Sequence, residues 1–169
     1  MAFTVQDDDG SIAGANAYLT VAEFKAYHAD RGNDLSSYGD VDIQRAIVKA
    51  TDYMDHRFQF VGYQANDDQR TMWPRVDAFD EDDHLVEGIP DRVKEACAEY
   101  AFVALASTLN PTPTRDATGR DVQAKSSTVG PISESVTYAA GASFASPKYP
   151  AADARLSGLV VAAGEIRRG

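Results

Sequence analysis

The segment Ile89–Asn110, "IPDRVKEACAEYAFVALASTLN", constrains the fold more than any other part of the chain. Val93, Ala96, Cys97, Tyr100, Ala101, Ala104, Leu105 and Thr108 recur at the three- and four-residue steps that line one face of a helix. Pro90 suits a first helical turn, where an N–H would have no intrahelical partner anyway. Asn110-Pro111 stops the run, because a residue before proline is pushed out of the helical region. The alanines on that face predict close approach by a second helix.

Two further helices are legible. Thr20 and Glu23 form the Thr-x-x-Glu capping pattern, in which each side chain satisfies an amide of the first turn. A helix is predicted over 21–31, with Val21, Phe24 and Tyr27 or His28 inward and Gly32 as its stop. A second is predicted over 41–58, N-capped by Asp40, with Ile43, Ala46, Ile47, Ala50, Tyr53 and Met54 in one stripe. Lys49, Asp52 and Asp55 lie off that stripe and read as solvated. Between residues 59 and 90 periodicity fails, with Gly62, Asn66, Pro74 and Gly88 as punctuation. A connection that long is normally functional or pinned. The chain's one tryptophan, Trp73, is the expected pin. Pro74 is expected to keep the chain extended there, and Arg75 to pair with a carboxylate of its own or a neighbouring subunit.

After the third helix the chain changes character. Residues 111–127 are polar with Pro and Gly. A strand on each side of Gly130-Pro131 is expected to form an arm carrying Val129, Ile132, Val136 and Tyr138. A last amphipathic segment, about 151–163, puts Leu156, Leu159 and Val160 on one side. The expected class is mainly α: three main helices and a short C-terminal one, with a β-hairpin or extended arm. The division reads as a helical core over 1–110 with a pinned loop at 59–89, an arm over 111–148, and a docking segment over 149–169.

Composition excludes several functions. No apolar run approaches the ~20 residues of a membrane span, and the acidic start lacks the pattern of a secretory leader, so a cytoplasmic setting is expected. Cys97 stands alone, which excludes an internal disulfide and a Cys-cluster zinc site; mid-helix on the apolar face, it reads as a small buried hydrophobe. His28, His56 and His84 fall in separate segments. Formal net charge is −10, and residues 1–90 hold 18 of the 26 acidic residues but 7 of the 16 basic ones. A protein that grips DNA does so with clustered Lys and Arg, and here Arg167-Arg168 is the one basic pair. Tyr18, Tyr27, Tyr53, Tyr63 and Trp73 resemble a base-stacking platform in type, but such platforms sit in positive grooves. The runs Asp7–Asp9 and Asp80–His84 lack the alternating spacing of a calcium loop and read as solvated. No phosphate-binding Gly loop and no Gly-x-Ser-x-Gly elbow is present. No catalytic residue, metal ligand or cofactor is therefore assigned.

Several stretches, in order, resemble a family of tailed-phage proteins: "NAYLTVAEFKAYHADRG", "AIVKATDYMDHRF", "GYQANDDQRTMWPR", "IPDRVKEACAEYAFVAL", "VGPISESVTYA" and "YPAADARLSGLV". The likeness covers about residues 15–160 and is most specific at Ala-Thr-Asp-Tyr-Met-Asp, Trp-Pro-Arg and Val-Gly-Pro-Ile. This is the family of head–tail connector (adaptor, head-completion) proteins, some relatives of which are labelled DnaT-like single-stranded-DNA-binding proteins. The resemblance implies a non-enzymatic virion protein of the neck, assembled in the host cytoplasm. It implies a ring beneath the portal, usually of twelve copies, that extends the DNA channel toward the tail or stopper protein. Genomic duplex would pass through without specific binding, and no membrane is involved. In this reading Trp73, Pro74 and Arg75 serve packing or interfaces. Tyr149, Leu156, Leu159, Val160, Arg167 and Arg168 dock on the portal. Deleting 149–169 is then expected to abolish portal binding and leave the helical core folded. The alternative is a DnaT-like single-strand binder in phage replication, against which the net charge argues.

Overall fold

The computed structural model describes residues 2–112, 122–128, 133–138 and 147–161. The fold is mainly α with a hairpin. The chain divides into two compact units, one of Met1–Leu109 with Tyr149–Gly169 and one of Asn110–Lys148.

In the first unit, α1 spans Val21–Ala29 and is entered through the predicted capping box. The Glu23 amide donates to Thr20 Oγ1 at 3.1 Å, and the Thr20 amide donates to Glu23 Oε2 at 2.6 Å. The helix closes at Asp30, before Gly32, and Gly32 adopts a positive φ just beyond it. Helix α2 spans Asp40–Arg57, so Asp40 lies inside the first turn and Gly39 takes the cap position without a side-chain bond. Its carboxylate still favours that end of the helix dipole.

Helix α3 spans Asp91–Ala106, shorter than the apolar pattern suggested. Ser107 leaves the helical conformation, so Thr108 falls outside and is exposed, while Leu109 turns back into the core. The core is the seam of α2 and α3: Ile43, Ala46, Ile47 and Ala50 face Val93, Ala96, Cys97 and Ala101, all buried. Small side chains on both helices let the backbones approach, as the alanine pattern predicts. Phe24 and His28 of α1 close one side. His28 is wholly buried, with Nε2 3.1 Å from the Ala98 carbonyl oxygen and Nδ1 3.0 Å from Asn33 Nδ2. The neutral ring satisfies both contacts by donating from Nε2 and accepting at Nδ1. Burial lowers its pKa.

The connection between α2 and α3 carries a two-residue ribbon, β1 (Tyr63–Gln64) antiparallel to β2 (Arg75–Val76). Beyond it Phe79 bridges Leu85 across a tight loop. Gly62 holds a positive φ, and a Cβ there would collide with the Val76 carbonyl oxygen. Only glycine fits that crossing.

The C-terminal segment corrects the docking assignment. Helix α4 (Pro150–Asp153) runs into a 3-10 turn (Ala154–Leu156), not into the longer amphipathic helix expected over 151–163. Leu156 and Leu159 are fully buried in the chain's own core. The Val61 amide donates to the Leu159 carbonyl at 3.0 Å, and the Val161 amide to the Gln59 carbonyl at 2.8 Å. Val160 bridges Phe60. Tyr149 is half-buried and donates to the Leu109 carbonyl at 2.7 Å. Asp153 accepts from Tyr100 Oη and from the Tyr149 amide, and lies 3.6 Å from Arg57. Each large apolar side chain buried here contributes about 1.5–3 kcal/mol. Leu156 and Leu159 therefore complete this chain's core and present nothing to a portal. Removing 149–169 would open the core rather than spare it.

The second unit holds the hairpin of β3 (Val122–Thr128) and β4 (Ser133–Tyr138), antiparallel, in register from Thr128↔Ser133 to Val122↔Tyr138 with an irregularity between Val122 and Ala124. A strand on each side of Gly130-Pro131 is as expected, but the first begins within the stretch read as polar and irregular. Alternation of small and polar residues along "VQAKSST" carries a strand without an apolar signal. Val136 and Tyr138 lie on β4. Val129 and Ile132 lie outside the described residues, as do Arg167 and Arg168.

Candidate functional site

The long connection is the most elaborately bonded part of the chain, and its centre is Trp73. The indole is fully buried, with its ring edge against Phe60 at a centroid distance of 5.8 Å. Its Nε1 has no hydrogen-bond partner. The Trp73–Pro74 peptide is cis, and the chain bends at Pro74 instead of running extended.

Arg75 departs from expectation more sharply. Among the described residues its guanidinium meets no carboxylate. It donates to three backbone carbonyls: Nε to Val61 at 2.6 Å, Nη2 to Gly62 at 2.7 Å and Nη1 to Met72 at 3.0 Å. The planar fork of five donors suits this use. Arg75 thereby ties both ends of the β1–β2 ribbon together. Partial burial lowers its pKa.

A second pin went unseen in the sequence. Asp55, read as solvated, is half-buried and bonds to the loop. Tyr18 Oη donates to Asp55 Oδ1, and the Met72 amide donates to Asp55 Oδ2 at 3.1 Å. Tyr18 Oη also accepts from the Met72 and Trp73 amides at 3.0 and 3.2 Å. Loss of solvent raises the Asp55 carboxyl to a pKa of about 6, against the opposing pull of the Tyr18 and Met72 bonds. Asp55 opens onto a cleft of about 250 Å³ lined by Asn16, Asp52, His56, Arg70 and Thr71, where Arg70 lies 3.6 Å from Asp52.

A groove of about 690 Å³ lies beside the loop. Its walls are the Asp8–Asp9 turn, Ala65–Asn66, the 74–77 run and the 85–88 run. Asp8 Oδ1 accepts from the Ile89 amide at 3.2 Å, and Asn66 Nδ2 donates to the Asp9 carbonyl at 2.7 Å. The groove combines exposed Val76 and Leu85 with the carboxylates of Asp8, Asp9, Asp77 and Glu87. Arg75 is the one cation among its lining residues, and three of its five donors already bond backbone carbonyls.

Among the described residues no stacking platform assembles. Of the five aromatics considered, Tyr18 and Trp73 are buried, Tyr27 and Tyr53 half-buried, and Tyr63 alone is exposed, at 69%. Tyr27 Oη is bonded to Glu99 at 2.6 Å. Cys97 is buried against Thr51 Oγ1 at 3.5 Å, and burial pushes its thiol up to about 12, so it holds no thiolate near neutrality. In the acidic loop, Asp80, Asp82 and His84 bring one ligand atom each to within 4.8 Å of one another. Asp80 Oδ1, however, accepts from the Asp82 and His84 amides at 3.0 and 2.9 Å, which lowers its pKa and explains the loop's shape without an ion.

A family model described as "Putative DnaT-like ssDNA binding protein" matches residues 1–169. The chain belongs to that family. Its name speaks of single-stranded DNA and not of a connector. No curated protein and no solved structure matches the chain.

Proposed function

We propose that this family member is a structural, non-enzymatic phage protein: a head–tail connector that forms a ring beneath the portal and continues the DNA channel toward the tail. The observation that carries this reading is the pairing of an acidic, well-packed helical unit with a separate hairpin unit over Asn110–Lys148. A wall that DNA slides past gains from carboxylates, which repel a polyanion, and loses from a groove that grips it. A hairpin in a unit of its own suits a contact between neighbouring copies. Val136 and Tyr138 on β4, with Val129 and Ile132 beside them in sequence, are the arm residues of this proposal. Partners would be the portal, copies of the chain itself and the next protein of the neck. Arg167 and Arg168 are the tail residues that remain for an acidic partner now that Leu156 and Leu159 are accounted for.

The second reading, single-strand binding, is favoured by the family description. The physical features of the described residues weigh against it: four of the five aromatics are buried or half-buried, and the groove beside the loop is acidic. The two readings separate in a titration of a fluorescent single-stranded oligonucleotide at physiological salt. The connector reading expects no saturable micromolar binding. Micromolar binding that weakens steeply with salt would overturn it in favour of the second.

A further inference from the structure

We propose that the acidic groove beside β2 receives the C-terminal segment of a second copy of the chain, Ile166 against Val76 and Leu85 and the Arg167–Arg168 pair among Asp9, Asp77 and Glu87. This rests on the ring reading and names the contact that would close it.

The groove is built before any partner arrives. Bonds between Asp8 and Ile89 and between Asn66 and Asp9 hold its walls, and the Val86 amide donates to the Ala78 carbonyl at 2.8 Å behind it. Val76 and Leu85 are 49% and 53% exposed, so apolar surface stands uncovered between carboxylates. Four carboxylates against one guanidinium, itself spent on carbonyls, ask for a cationic occupant with an apolar side chain.

The chain carries one such sequence. Arg167-Arg168 is its sole adjacent basic pair, and Ile166 precedes it. Val161 is bonded to Gln59, and the eight residues beyond it span at most about 26–29 Å when extended. Tail and groove are different patches of one chain. A contact between copies is therefore heterologous, repeats head to tail, and closes into a ring where the rotation allows.

The test uses the full chain and a fluorescent peptide of residues 161–169. Peptide binding is expected to be saturable, to weaken with salt, and to fall about fivefold in an Asp77→Asn, Glu87→Gln double variant, since exposed charge pairs contribute modestly. A Glu87→Lys chain is expected to lose the native peptide and to capture one carrying Arg168→Glu. Asp77 and Glu87 are both exposed, and the swap shows that the variant is folded. Equal binding by all variants, or none at millimolar peptide, overturns the proposal. Copy exchange is read by mixing Glu87→Cys chains with isotope-labelled Arg168→Cys chains under a short thiol cross-linker, Cys97 being buried. Cross-links between labelled and unlabelled chains support the proposal. Cross-links confined within single chains of the double-cysteine variant overturn it. Rings on a portal formed equally well by Glu87→Lys chains would remove this contact and leave the connector reading standing. Peptide capture by a chain that never forms rings would do the reverse.

Discussion

At the scale of single residues, the account turns on two pins through the 59–90 connection. Trp73 fills the core beneath it, so Trp73→Ala is expected to cost about 3–5 kcal/mol in chemical denaturation. Trp73→Phe is expected to cost less than half as much, because the indole N–H has no bond to lose. Asp55 is the second pin, and its sign can be worked out. Its folded pKa of about 6 lies above the ordinary carboxylate value because burial disfavours the charge. The folded state therefore takes up this proton first as pH falls. The stability this group contributes is fully present below about pH 4 and is lost as pH rises through about 6. An NMR titration of the Asp55 carboxyl is expected to show a midpoint near that value. Tyr18→Phe removes a bond that lowers the pKa, so the midpoint should rise further; a fall would contradict the geometry. The part played by Asp55 was not legible in the sequence, and Arg75 was singled out there without its partners. Asp55 sits at the margin of a helical stripe, and its partners Tyr18 and Met72 are 37 and 17 residues away. Arg75 binds backbone carbonyls, which every residue carries, so no side-chain pattern marks its site.

At the scale of elements, the helices were legible because their signals are local. The Thr20–Glu23 box appears in the structure atom for atom, and Thr20→Ala is expected to cost about 1 kcal/mol through its lost cap. The stripe Ile43, Ala46, Ile47, Ala50 and Met54 is the buried face of α2 as read. What failed were stretches whose structure depends on distant partners. The chain turns at Pro74 where it was expected to run extended, and β3 begins in a polar run whose support is its pairing with β4. The C-terminal segment looked like an unpartnered amphipathic face; its partners are Phe60, Val61 and Tyr100, separated from it by the hairpin unit in sequence. Accordingly, a chain ending after Leu109 is expected to unfold less cooperatively and at lower denaturant than the full chain. Equal midpoints would show that 149–161 adds nothing to the core.

At the scale of the whole molecule, the connector proposal rests on an acidic helical unit and a hairpin unit within one chain. The family description and the charge distribution pull in different directions, and the difference lies in what the surface meets: a single strand held, or neighbouring subunits around a passing duplex. Electron microscopy of the chain mixed with the portal protein that the connector proposal assigns to it tests this most directly. The connector reading predicts a ring of copies stacked coaxially on the portal, with an open central channel. Portal particles that stay bare at saturating concentrations of folded chain would contradict it.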